Sequence, residues 1–111
     1  MAKDVKGLDM GLNHFQIDER SLALHRAVAQ RLKENPTLLE IARNNLERWC
    51  QEGGMRSYWT EWKNILRSPL DEILSFLVSN DERAKWLRQS SPFCGILTPR
   101  ERWKIYESFS T

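Results

Sequence analysis

The sequence predicts an all-α fold, a single compact domain of five to six short helices behind a flexible N-terminal arm. Three observations predict it. Apolar residues recur at three- and four-residue spacing from Asp18 onward. Three of the four prolines, Pro36, Pro69 and Pro99, stand where a helix can begin and where no amide hydrogen is missed. Alternating apolar and polar runs joined by hairpin turns, the mark of strands, do not occur.

Residues 1–17, with Gly7, Gly11 and scattered aspartates, have weak periodicity and read as the arm, with Leu12, Phe15 and Ile17 expected to dock on the body. The helical domain is expected over residues 18–111. Asp18 caps a first helix to about Asn35, with Leu24, Val28 and Leu32 as its stripe and Ala27 in the seam. Asn35-Pro36 opens a second, facing inward through Leu38, Ile41, Ala42, Leu46 and Trp49 and ending at Gly53-Gly54. A third begins near Ser57 and aligns Trp59, Trp62, Ile65 and Leu66. Ser68-Pro69 stops it and starts a fourth, with Asp71 reaching back to the cap and Leu70, Ile73, Leu74 and Leu77 on one face. Ser79-Asn80-Asp81-Glu82 reads as a capping box for a fifth, which carries Trp86 and Leu87. Ser90 to Gly95 reads as a turn. Thr98-Pro99-Arg100-Glu101 is a second capping box, and the last helix sets Ile105, Tyr106 and Phe109 along one side.

The hydrophobic share is 41% in 111 residues, with five Trp, which suffices for one independent core. Seventeen Lys and Arg against 15 Asp and Glu leave a net charge of +2, too small for a dedicated polyanion binder but compatible with a local basic face. Cys50 and Cys94 are isolated thiols, as expected in a reducing cytoplasm. No stretch has the apolar length of a membrane span, and residues 1–18 lack the apolar run of a signal peptide. The expected location is cytoplasmic, without membrane contact.

Catalytic and metal chemistry find little support. His14, His25, Cys50 and Cys94 are scattered over different elements, so neither a metal site nor a cofactor is expected. His25, beside the Leu24/Val28 stripe, reads as a satisfied residue at the core edge. Cys94 on its turn is the one candidate nucleophile, but it reads first as a small apolar residue packed under the loop. Asp71/Glu72 and Asp81/Glu82 fall in first helical turns, where negative charge complements the helix dipole. The expectation is therefore a protein without enzymatic activity.

Two features exceed a bland helical domain. Trp86 and Trp103 sit off the cleanest apolar lines of their helices, and tryptophan beside arginine is the chemistry of an interface anchor. Arg83, Lys85 and Arg88, then Arg100, Arg102 and Lys104, place six cations near the C-terminus against Asp81, Glu82, Glu101 and Glu107. They read first as a solvated face; the alternative is a basic rim around Trp86, Phe93 and Trp103.

Several stretches, Leu24-His25-Arg26-Ala27, Leu46-Glu47-Arg48-Trp49, Glu61-Trp62, Leu87 to Phe93 and Glu101-Arg102-Trp103, are similar to those of short bacterial proteins. That group resembles the antitoxin members of toxin–antitoxin pairs. The resemblance spans about residues 18–109 and implies that Arg88, Ser90, Ser91, Phe93 and Trp103 form a characteristic element. The expected function is a protein-interaction module that neutralises a partner such as a cognate toxin. Its expected contacts are Trp86, Arg88, Ser90, Ser91, Phe93, Arg100 and Trp103. The alternative is a helix-turn-helix-like regulator that holds nucleic acid through Arg100, Arg102 and Lys104, although the spacing between its two helices is long for that motif.

Overall fold

Helix punctuation by proline and glycine sets most of the architecture. In the computed structural model, which describes residues 14–54 and 56–109, six α-helices follow one another with no strand among the described residues. They are α1 (His14–Glu34), α2 (Leu39–Gly53), α3 (Ser57–Ile65), α4 (Leu70–Leu77), α5 (Glu82–Arg88) and α6 (Pro99–Ser108). Pro36–Leu38 forms a 3-10 turn that leads into α2, so the second helix starts three residues later than its proline suggests. Gly54 ends α2 at φ +81°, a conformation that side chains with a Cβ rarely adopt.

Two further helix starts and one cap differ from the sequence reading. α1 begins at His14 rather than Asp18, so residues 14–17 belong to the helix and not to the arm. The remainder of the expected arm, including Leu12, lies outside the described residues. Phe15 is 71% exposed and does not dock on the body. α5 is capped by Asp81, whose carboxylate accepts from the Ala84 amide at 2.7 Å, while the Ser79 hydroxyl donates to Asp81. The cap therefore sits two residues beyond the Ser79 box, because aspartate outcompetes a serine that it holds as its own donor. Asp71 makes no cap bond at the start of α4. The box at α6 stands as read: Glu101 N–H donates to Thr98 Oγ1 at 3.1 Å, and Thr98 N–H donates to Glu101 Oε1 at 2.7 Å.

α1 is the spine, packing against α4, α5 and α6, while α2 packs on α3. The inward face of α1 is Leu22, His25, Val28 and Leu32, rotated from the expected stripe so that Leu24 and Ala27 are only partly buried. Opposite it lie Leu46 of α2, Trp62 of α3, Ile73 and Leu77 of α4 and Leu87 of α5, all at most 1% exposed. Trp62 is the keystone among these. Its ring meets Phe76 and Phe93 edge-on at 5.7 and 5.4 Å, and its indole N–H donates to the Leu87 carbonyl at 2.9 Å. Trp49, Trp59 and Leu74 pack on the core from its margin.

α6 is held differently. No residue of it is fully buried. Arg31 of α1 donates to both carboxylate oxygens of Glu101 at 2.7 Å, Arg20 stacks over the Tyr106 ring at 4.9 Å, and Ile105 packs on the core edge.

Truncating Trp62 to alanine removes both ring contacts and the indole hydrogen bond, so we expect a loss of about 3–5 kcal/mol in urea unfolding. Leu77→Ala is expected to cost about 2–5 kcal/mol, and the marginal Leu74→Ala clearly less. Equal losses for Leu74 and Leu77 would show that the inward face of α4 is assigned wrongly. Thr98→Ala is expected to cost about 1 kcal/mol, and an unchanged melting temperature would contradict the α6 cap.

Candidate functional site

The segment between α5 and α6, residues 89–98, has no regular secondary structure, yet Pro92, Phe93, Ile96 and Leu97 within it are buried. A buried chain without a helical ladder must find side-chain partners for its backbone. Asn45 of α2 supplies them, its amide donating to the Pro92 carbonyl at 2.8 Å and the Cys94 carbonyl at 3.0 Å. Ser91 Oγ accepts from the Phe93 amide at 3.3 Å. Gly95 turns the chain at φ +96° beside Ile41.

His25 closes the segment onto α1. Its Nδ1 lies 2.7 Å from the Ser21 carbonyl and its Nε2 lies 2.8 Å from Ser91 Oγ. A carbonyl only accepts, so Nδ1 carries the hydrogen and the neutral ring accepts the Ser91 proton at Nε2. Burial is the main cause that pushes the His25 pKa from 6.5 down to about 4; the Ser21 bond opposes it and nearby Arg88 adds to it. The expectation of a satisfied core-edge histidine is met, with the ring 5% exposed and edge-on to Phe93 at 6.1 Å.

Two residues expected at the contact surface lie inside instead. Phe93 is 3% exposed, between His25 and Trp62. Arg88 is 4% exposed, and its Nη1 donates to the carbonyls of Leu77 at 3.2 Å and Ser79 at 2.7 Å. These carbonyls lie at and just beyond the end of α4, where a helix leaves acceptors unmatched and favours positive charge. Arg88 is thus the cap of α4 rather than part of a basic rim. Burial lowers its pKa, opposed by the charges of Asp18 and Asp81. Ser90 is half-buried and donates to the Leu87 carbonyl at 3.3 Å. Cys94, expected beneath the loop, is exposed; Cys50 is half-buried, and both are free thiols.

The remaining predicted residues stay at the surface. Trp86 is 48% exposed and Trp103 is 62% exposed. Arg100, Arg102 and Lys104 are exposed on α6. Arg100, Trp103 and Lys104 follow one another at three- and four-residue spacing and so share one face. Trp86 instead packs edge-on against Tyr58 of α3 at 6.3 Å. The two tryptophans are therefore not joined through Phe93 into one patch.

Around Trp86 the structure assembles a surface that the sequence reading missed. Tyr58 meets Trp59 edge-on at 5.4 Å, and Trp59 meets Trp49 of α2 at 5.9 Å, giving a continuous row of four partly exposed rings. Trp49, Tyr58 and Trp59 line an open groove of about 490 Å³, with Gln89 and Ser90 on its far wall. Gly53 admits the Trp59 ring: a Cβ there would stand 3.3 Å from it. The signal was legible in part, since adjacent Tyr58 and Trp59 on one helix cannot both be fully buried in one core.

Among the described residues, no group of three or more His, Cys, Asp or Glu lies close enough to hold a metal ion. No described helix is long and apolar enough to cross a membrane. No protein-family model, curated protein or solved structure matches the chain.

The buried neutral His25 has a thermodynamic consequence. Its unfolded ring takes a proton near pH 6.5 and its folded ring only near 4, so the unfolded state binds more protons in between. The stability it confers is complete above the higher value and is lost as pH falls toward the lower. Moving from about pH 7.5 to about pH 5 should cost about 2 kcal/mol in chemical unfolding. His25→Gln should remove that slope; the same slope in the variant would contradict the assignment.

Proposed function

We propose that this chain is a protein-interaction module whose contact surface is the groove lined by Trp49, Tyr58 and Trp59 together with Trp86, which packs on Tyr58 beside it. The observation that carries this reading is the row of four touching, partly exposed rings beside an open groove. Tryptophan and tyrosine dominate interface hot spots because they bury large area with few rotatable bonds. Gln89 and Ser90 offer polar groups at the opposite wall, where a partner backbone can be oriented.

Binding rather than catalysis is also what the Ser91–His25 pair favours. A base held near pKa 4 is a poor proton acceptor at neutral pH, and its bonds tie the loop down. The resemblance to antitoxin-type proteins implies a toxin as partner, neutralised by direct contact.

A second reading rests on the face of α6 that presents Arg100, Trp103 and Lys104, with exposed Arg102 nearby. Cations beside an exposed ring suit a nucleic-acid strand, by phosphate pairing and base stacking.

The full chain, immobilised and offered its genomic neighbour's product, should retain that protein, whereas Trp86→Ala should weaken retention by about tenfold or more. Trp86 is half-exposed, so the variant should melt as the wild type does. Equal retention by wild type, Trp86→Ala and Tyr58→Ala, with the fold intact, would contradict the contact-surface assignment. For the second reading, neutralising Arg100, Arg102 and Lys104 should flatten the salt dependence of any nucleic-acid binding by about 2–3 in slope. An unaltered slope would remove that reading.

A further inference from the structure

The buried guanidinium of Arg88 poses an electrostatic problem that its capping role does not solve. Its Nη1 serves two carbonyls, but its Nε is buried with no hydrogen-bond partner. No ion pair within hydrogen-bonding reach neutralises it among the described residues; Asp18 and Asp81 act on it only through space. A buried charge without a counter-charge is costly, as is an orphaned buried donor. Arg88 also lines a cavity, distinct from the aromatic groove, of about 240 Å³ between α1, residues 89–97 and α6.

Leu24, Val28, Phe93 and Leu97 supply apolar lining, while Arg88, Arg102 and Ser91 are among the polar residues that line it. A cavity of about 150 Å³ suffices for benzene. The larger volume here has room for one ring and a small polar head.

From this arrangement we infer that the cavity binds a small organic carboxylate with an apolar body of about one ring. The carboxylate lies toward Arg88, supplying the counter-charge to its buried guanidinium, and is held by exposed Arg102, whose guanidinium can match a planar carboxylate in two-point contact. The ring lies against Leu24, Val28 and Leu97. The neutral His25 keeps the wall free of a third cation, and its bond to Ser91 fixes that hydroxyl at the cavity edge. This site shares Gln89 and Ser91 with the groove proposed above but takes a small molecule rather than a protein.

The test uses the isotope-labelled full chain and three probes in two-dimensional NMR titrations. Benzoate should shift the amides of Ser91, Gly95, Leu97 and Arg102 with a Kd of about a millimolar or tighter. Benzamide, which keeps the ring and lacks the charge, should bind about tenfold or more weakly. Inorganic phosphate, which has the charge and lacks the ring, should leave those amides unshifted. Arg102 is exposed, so Arg102→Gln should weaken benzoate about tenfold without lowering the melting temperature. The inference is overturned if benzamide matches benzoate, if phosphate shifts the same amides, or if Arg102→Gln binds as wild type. It is overturned equally if benzoate shifts no cavity residue, or shifts mainly the outward face of α6 at Arg100 and Lys104.

Discussion

The rest of this structure depends on one constraint: a stretch of irregular backbone, residues 89–98, is buried and must be satisfied by side chains. Asn45 reaches it from α2, and His25 from α1. Both residues are polar and inward-facing, which is affordable only because each is fully engaged: Asn45 accepts from Arg48 at 3.0 Å while donating to two carbonyls. Because the segment is fixed, Phe93 can plug between His25 and Trp62, and the core closes around Trp62.

The same fixed segment supports both candidate binding surfaces. Gln89, Ser90 and Ser91 form one wall of the aromatic groove, and Gln89, Ser91 and Phe93 also border the cavity beneath α6. The helices around them differ in how firmly they are held. α3 is anchored by a fully buried tryptophan, so the rings of Tyr58 and Trp59 are presented on a rigid base. α6 is held by an ion pair, a ring stack and one partly buried isoleucine, and exposed ion pairs contribute little. A rigid aromatic row suits recognition of a protein, and a lightly attached helix over a cavity suits entry of a small molecule.

Helix existence and order were legible in the sequence because their signals are local. Pro36, Pro69 and Pro99 mark starts, Gly54 marks an end, and Thr98 with Glu101 makes the reciprocal cap its spacing implies. The start of α1 was not legible, since its first turn has no acidic residue. The site was legible only at its exposed residues, Trp86 and Trp103. Arg88 reads as one of a run of surface cations, but the carbonyls that bury it belong to the end of another helix. Phe93 was misplaced for the same reason, its position following from Asn45 and His25, which lie far off in the chain. Non-local hydrogen bonds decide these positions, and periodicity carries no trace of them.

A double-mutant cycle between His25 and Ser91 tests most directly whether the loop is held as described. Alanine at each position singly and together, followed by urea unfolding at neutral pH, should give a coupling of about 1–2 kcal/mol. Additive losses within about 0.3 kcal/mol would mean that the two side chains do not hold the segment to α1, and the account of the site built on that bond would fail.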